Sequence, residues 1–285
     1  TINIAESKIG KSKQLSASYF GYANLCMAIP LFKRAEIYHN KSLALAEELG
    51  EQWIVGQNLE YIGYRNIWAG NYEKGKESLH KSFIQYKNIG DIKSYGMSFN
   101  GILQSYYYQS EYSETKRYID ELIKQSTDTN DNYLLSAGYI YAAQYYAETG
   151  EIDTAIEYGI KAQTLCKENE LWFNACTSSI ELANAYLLKG ELIKAYETIT
   201  YAKELNENNN FLKFYTSPLY YFRAEILLAL YNSNSPLPNG KNVTLAMIAR
   251  AYAKAISATK PWSHFYGASL RGKAKVLALK NKHKK

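Results

Sequence analysis

Residues Ala5 to Ser12 have the order of a relaxed phosphate-binding loop, closing on Gly10, Lys11 and Ser12 but with alanine in the first glycine slot. Such a loop works when a buried strand precedes it, its backbone N–H groups face phosphate and a helix follows. Only four residues precede Ala5, and the chain shows neither strand–helix alternation nor an apolar strand ending in a magnesium-binding Asp. The segment therefore reads as a helix start or a turn between repeats. The four histidines, His39, His80, His264 and His283, have no metal-ligand spacing. His39 and His80 are expected on helix surfaces. Cys26, Cys166 and Cys176 are odd in number and form no C-x-x-C, so neither a disulfide framework nor a zinc site is indicated. A reducing, cytoplasmic setting is the expectation. No G-x-S-x-G, catalytic carboxylate pair or Cys/His constellation stands out. The sequence points to a chain that is not an enzyme and holds no cofactor or metal.

The elements that must position any site are helical. Residues 31–217 contain no proline and are rich in Ala, Leu, Glu, Lys and Tyr, which favours helices over strands. Hydrophobic residues are 47% of the chain and charged residues 21% without a long charge block, so a core can form and disorder is not expected. The net charge of +6 gathers partly at the end, where Arg271, Lys273, Lys275, Lys280, Lys282, Lys284 and Lys285 read as a solvated helix face. Nucleic acid is not an expected partner. No stretch reaches the ~18 apolar residues of a membrane helix, and no secretory signal is visible, so no membrane role is expected. The chain opens on Thr1 and reads as an excerpt of something longer.

A period of forty residues organises the chain. A small residue followed two places on by an aromatic or aliphatic recurs at Gly70 and Tyr72, Ser110 and Tyr112, Gly150 and Ile152, Gly190 and Leu192, with Pro30 and Phe32 as a degenerate first copy. A small side chain follows at Ala35, Gly75, Thr115, Ala155 and Ala195. There it lets paired helices approach to about 8–10 Å. A second turn falls at Gly50, Gly90, Asn130, Glu170 and Asn210. Each unit reads as two helices of about 18 residues. Ile152, Ala155, Ile156, Ile160, Ala162 and Leu165 are expected to form one apolar stripe.

These features resemble the tetratricopeptide repeat, whose core motif G-x-Y-x-x-A lies between two antiparallel helices. Gly70 to Tyr72, Gly150 to Ala155 and Gly190 to Ala195 carry it here. The usual unit is ~34 residues, so forty implies longer helices. The resemblance implies an all-α, right-handed superhelical solenoid of about thirteen helices. Its repeats fall at 11–49, 50–89, 90–129, 130–169 and 170–209, with a divergent unit at 210–258. That last unit contains a loop at 232–240 and is followed by a terminal helix at 262–280. Residues 22–53 and 260–285 look like parts of the long-unit arrays that follow the ATPase module in large multidomain signalling proteins, some with a nucleotide cyclase or kinase domain.

The resemblance also implies that the first, or A, helix of each pair lines a concave groove that binds a protein or peptide. Six residues before each small landmark stand Asn24, Tyr64, Gln104, Gln144 and Asn184, in which amides can donate and accept at once. Trp68, Tyr107 and Tyr108 extend this face. An amide column can also form a ladder between neighbouring helices, and both readings stand at this point. The lysine of the family's two-carboxylate clamp is replaced by Phe20 and Ile180, so capture of a C-terminal carboxylate by that route is not expected. The 28 tyrosines are expected chiefly in the core, with hydroxyls at its rim. The implied function is a non-catalytic interaction region of a larger intracellular signalling protein, in contact with a partner or with neighbouring domains. A peptide-sensing regulator whose ligand alters curvature is the alternative, as is the regulatory part of an ATPase or cyclase.

Overall fold

A computed structural model describes residues 6–7, 10–211, 213–261 and 263–282, with backbone alone at 213, 214, 263, 264 and 282. Its long helices are α1 (Lys13–Ala28), α2 (Phe32–Glu48), α3 (Gln52–Trp68), α4 (Tyr72–Ile89), α5 (Ile92–Tyr108), α6 (Tyr112–Asp128), α7 (Asn132–Thr149), α8 (Ile152–Glu168), α9 (Trp172–Lys189), α10 (Leu192–Asn209), α11 (Lys213–Asn232), α12 (Leu245–Thr259) and α13 (Ser263–Lys282). No strand occurs among the described residues. The architecture is an all-α, tetratricopeptide-like solenoid of consecutive helix pairs.

The forty-residue period is written into the backbone. The two turn columns take positive φ at Pro30, Gly70, Ser110, Gly150 and Gly190, and at Gly50, Gly90, Asn130, Glu170 and Asn210. At Gly50 the turn is closed by two hydrogen bonds, Gly50 N–H to Glu47 O and Glu51 N–H to Ala46 O. These satisfy the last carbonyls of α2 and reverse the chain, and a residue without Cβ meets no penalty in that left-handed conformation.

The chain divides into two compact units, residues 1–126 and 127–285. In unit 1 the successive A helices α1, α3 and α5 pack each against the next as well as against α2 and α4, and in unit 2 the same holds for α7, α9, α11 and α13 with α8, α10 and α12. An A helix therefore has neighbours on several sides, whereas a B helix keeps an outer face. Eleven residues of α3 are buried against four of α4. The small column packs as expected, with Ala35, Gly75, Thr115, Ala155 and Ala195 all buried. A methyl group added at Gly63 would stand 2.5 Å from Leu79 Cγ and 3.1 Å from the carbonyl of Gly75, so α3 and α4 touch backbone to backbone.

Two sequence expectations are corrected. His39 is not a surface residue: it is fully buried, in the slot that Leu79, Ile119, Gly159 and Ile199 occupy in later repeats. Ile160 is not part of the inward stripe of α8. It is 46% exposed, while Ala155, Gly159, Ala162 and Cys166 face inward. The stripe follows the small residues because α8 packs closely against α7 and α9. His80 is exposed. The side chain of His264, and the whole of His283, lie outside the described residues.

Candidate functional site

Six of the eight sequence-derived residues lie in unit 1. Asn24 is half-buried on α1, and its Oδ1 accepts from His39 Nε2 at 3.0 Å. Tyr64 is buried on α3, donating its hydroxyl to the Met97 carbonyl of α5 at 2.8 Å. Its ring lies 6.1 Å from that of Trp68, which is also buried. Gln104 on α5 is buried as well. Tyr107 and Tyr108 are half-buried with rings 5.5 Å apart, and Tyr108 lies 6.4 Å from Tyr72. Unit 2 contributes Gln144 on α7 and Asn184 on α9, both half-buried. Gln144 stands beside the Glu181 carboxyl and favours its charged form. Partial exposure is thus kept by Asn24, Tyr107 and Tyr108 in unit 1 and by Gln144 and Asn184 in unit 2, whereas Tyr64, Trp68 and Gln104 are enclosed.

Charged residues that sequence reasoning passed over stand on the same helices. Glu60, one turn before Tyr64, is buried, and burial pushes its carboxyl up to about 8, opposed in part by the Tyr86 hydrogen bond and reinforced by Asp91. Burial raises Glu181 to about 7, with Gln144 opposing and Glu148 adding to the shift. Burial, with the Arg65 cation beside it, lowers His39 to about 3, so its imidazole is neutral. Desolvation penalises whichever form is charged, which explains the opposite directions. The available signal was a charge interrupting the apolar stripe of an A helix.

The loop-like segment behaves as a helix start. Ser12 caps α1, its Oγ accepting from Leu15 N–H at 3.3 Å, and Lys11 Nζ donates to both oxygens of Glu48 at 2.6 and 2.9 Å. Ala5, Lys8 and Ile9 lie outside the described residues. All three cysteines are free and buried, and burial raises the thiols of Cys166 and Cys176 to about 11 and 12, which disfavours the nucleophilic thiolate. Among the described residues no group of three or more His, Cys, Asp or Glu is placed to hold a metal ion. None of the described helices is long and apolar enough to cross a membrane. Near the end, Arg271, Lys273, Lys275 and Lys280 are exposed, and Lys275 lies 3.6 Å from Glu225. The side chain of Lys282, and Lys284 and Lys285, fall outside the described residues.

No family model and no curated protein matches this chain in sequence. Solved structures do match in fold. A Rap protein complexed with Competence and Sporulation Factor superposes with a TM-score of 0.66 at 11% identity, covering 99% of this chain and 79% of that one. The apo form of RapI gives 0.59 at 9% identity, covering 94% and 98%. A Signal Transduction ATPase with Numerous Domains from Pyrococcus horikoshii, which has a tetratricopeptide repeat sensor, gives 0.58 at 17% identity, covering 92% of this chain. The present chain spans 38% of that protein's length. At such identities the likeness establishes the fold.

Proposed function

We propose that this chain is a non-catalytic interaction region of a larger cytoplasmic signalling protein, and that it binds a polypeptide along the A-helix face of its units. The observation that supports this most is that Asn24, Gln144 and Asn184, which share one repeat position, are half-buried, as are Tyr107 and Tyr108 on α5. Tyrosine offers large contact area at small entropic cost, and amides match the donors and acceptors of a peptide backbone. Tyr64, Trp68 and Gln104 support that face from below. The partner is a protein or peptide, from another molecule or from a neighbouring domain of the parent chain.

The test is selection of a displayed random-peptide library on the full chain and on a Tyr108→Ala, Gln144→Ala, Asn184→Ala variant of equal helicity and melting midpoint. Capture by the parent, reduced at least tenfold in the variant, supports the reading. Capture unchanged in the variant, or none by either folded protein, overturns it.

A second reading makes the chain a peptide-sensing regulator. Its support is the likeness to the Rap protein complexed with Competence and Sporulation Factor, which extends over 99% of this chain. Here a captured peptide would change the radius of gyration in solution scattering; an unchanged radius at saturation would remove this reading and leave the first. The likeness to the ATPase with a repeat sensor favours a regulatory place beside catalytic domains outside this chain. That form predicts an ATPase or cyclase module in the parent reading frame.

A further inference from the structure

Arg65 occupies a position that its packing does not explain. The equivalent residues of the other four regular repeats are Leu25, Ser105, Tyr145 and Ala185, none of them charged. Its side chain is only 5% exposed, and among the described residues its Nη1 has no hydrogen-bond partner. Its Nη2 has one contact, Glu36 Oε1 of α2 at 3.4 Å. A charge-assisted N–H···O bond is ordinarily about 2.7–2.9 Å, and an Arg–carboxylate pair is commonly two-pronged. A buried cation held so loosely is costly unless something completes its pairing.

The neighbours share this incompleteness. His39 donates from Nε2 to Asn24 Oδ1, an atom that only accepts, which leaves Nδ1 as an acceptor, and Nδ1 has no partner among the described residues. The rings of Phe20 and Tyr61 lie 5.9 and 6.5 Å from the imidazole. Asn24 on α1 is thus bonded to His39 on α2, Arg65 on α3 is bonded to Glu36 at the surface, and the Arg65 cation stands near enough to act on the His39 imidazole. Glu36 is 56% exposed, so it can swing away without opening the core.

We propose that the junction of α1, α2 and α3 is an oxyanion subsite, in which a carboxylate or phosphoryl group of a ligand displaces Glu36 and takes the two-pronged face of the Arg65 guanidinium. Guanidinium geometry suits both anions, whereas a lysine at this place would offer only a point charge. Glu36 acts as the internal stand-in and competes with the ligand. The subsite rests on the geometry of unit 1 and not on peptide binding along the A-helix face.

The test uses the full chain, with inorganic phosphate and acetate as separate probes, each against sodium chloride at equal ionic strength. The imidazole proton signals of His39 report the site, and the unfolding midpoint reports stabilisation. Phosphate or acetate is expected to shift the His39 signals saturably, and which of the two does so identifies the ligand group. Glu36→Gln should tighten that binding at least threefold, Arg65→Lys should weaken it, and Arg65→Met should abolish it. Neither anion shifting His39 beyond chloride overturns the subsite, as does unchanged affinity in Glu36→Gln or in a folded Arg65→Met. If Arg65→Met does not fold, the Glu36→Gln comparison decides the matter. Loss of the anion response with peptide capture retained would discard the subsite alone.

Discussion

The α3/α4 pair of unit 1 and the α9/α10 pair of unit 2 are copies three repeats apart, and the same positions carry different chemistry. Where α3 has Glu60 and Arg65, α9 has Ile180 and Ala185; where the first crossing is Gly63 against Gly75, the second is Ala183 against Ala195. Leu79 and Ile199 fill the same core slot. Even the small polar contact is re-made: Ser82 Oγ donates to the Gly56 carbonyl at 2.8 Å, and Cys176 Sγ to that of Ala202 at 3.4 Å. One pair combines a glycine-on-glycine crossing with buried charge, and the other is alanine-lined and carries its single buried carboxyl at Glu181. Fold is indifferent to this choice; local stability and its dependence on pH are not, since buried ionisable groups carry desolvation terms that alanine lacks.

The largest expected effects are at the shared core slot. Leu79→Ala should cost about 4 kcal/mol and Ile199→Ala about 3 kcal/mol, read from urea midpoints. The asymmetry follows from Gly63 and Gly101, which stand against Leu79 without side chains that could relax into the hole. If Ile199→Ala proves the costlier, close glycine packing does not stiffen unit 1.

Next is pH, followed by native-state hydrogen exchange in α2–α3 and in α9. His39 is depressed from 6.5 to about 3 in the folded chain, so between those values the unfolded state binds more protons and stability falls as pH falls. Glu60 and Glu181 are raised from 4.5 to about 8 and about 7. Their contributions are complete below the unfolded value and are lost as pH rises through the folded one. Unit 1 should therefore open on both the acid and the alkaline side, while α9 should respond to Glu181 on the alkaline side alone. His39→Leu should remove the acid limb of unit 1. Persistence of that limb would detach it from this histidine.

The smallest effects are at the turns. Ser110 in unit 1 and Glu170 in unit 2 hold left-handed φ of 58° and 55°. Glycine at either should raise stability by about 0.5–1 kcal/mol, alike in both units, because the strain belongs to the turn and not to the core beside it. Unequal gains in thermal midpoint would show that the turns feel the packing of their own unit.

The sequence by itself determined the period, the helix pairs and both left-handed turn columns. These depend on local rules of helix termination and on small residues recurring every forty positions. It also marked Asn24, Gln144, Asn184, Tyr107 and Tyr108 as polar or aromatic positions of A helices. Only the tertiary structure decided that Tyr64, Trp68 and Gln104 are buried, that His39 is internal, that Ile160 is outside, and that Glu60, Arg65 and Glu181 are enclosed. A residue's place along a helix follows from its own chain. Its exposure follows from which neighbouring helices close over it, and an A helix with neighbours on several sides can bury a charge that the same spacing on a B helix would leave in water.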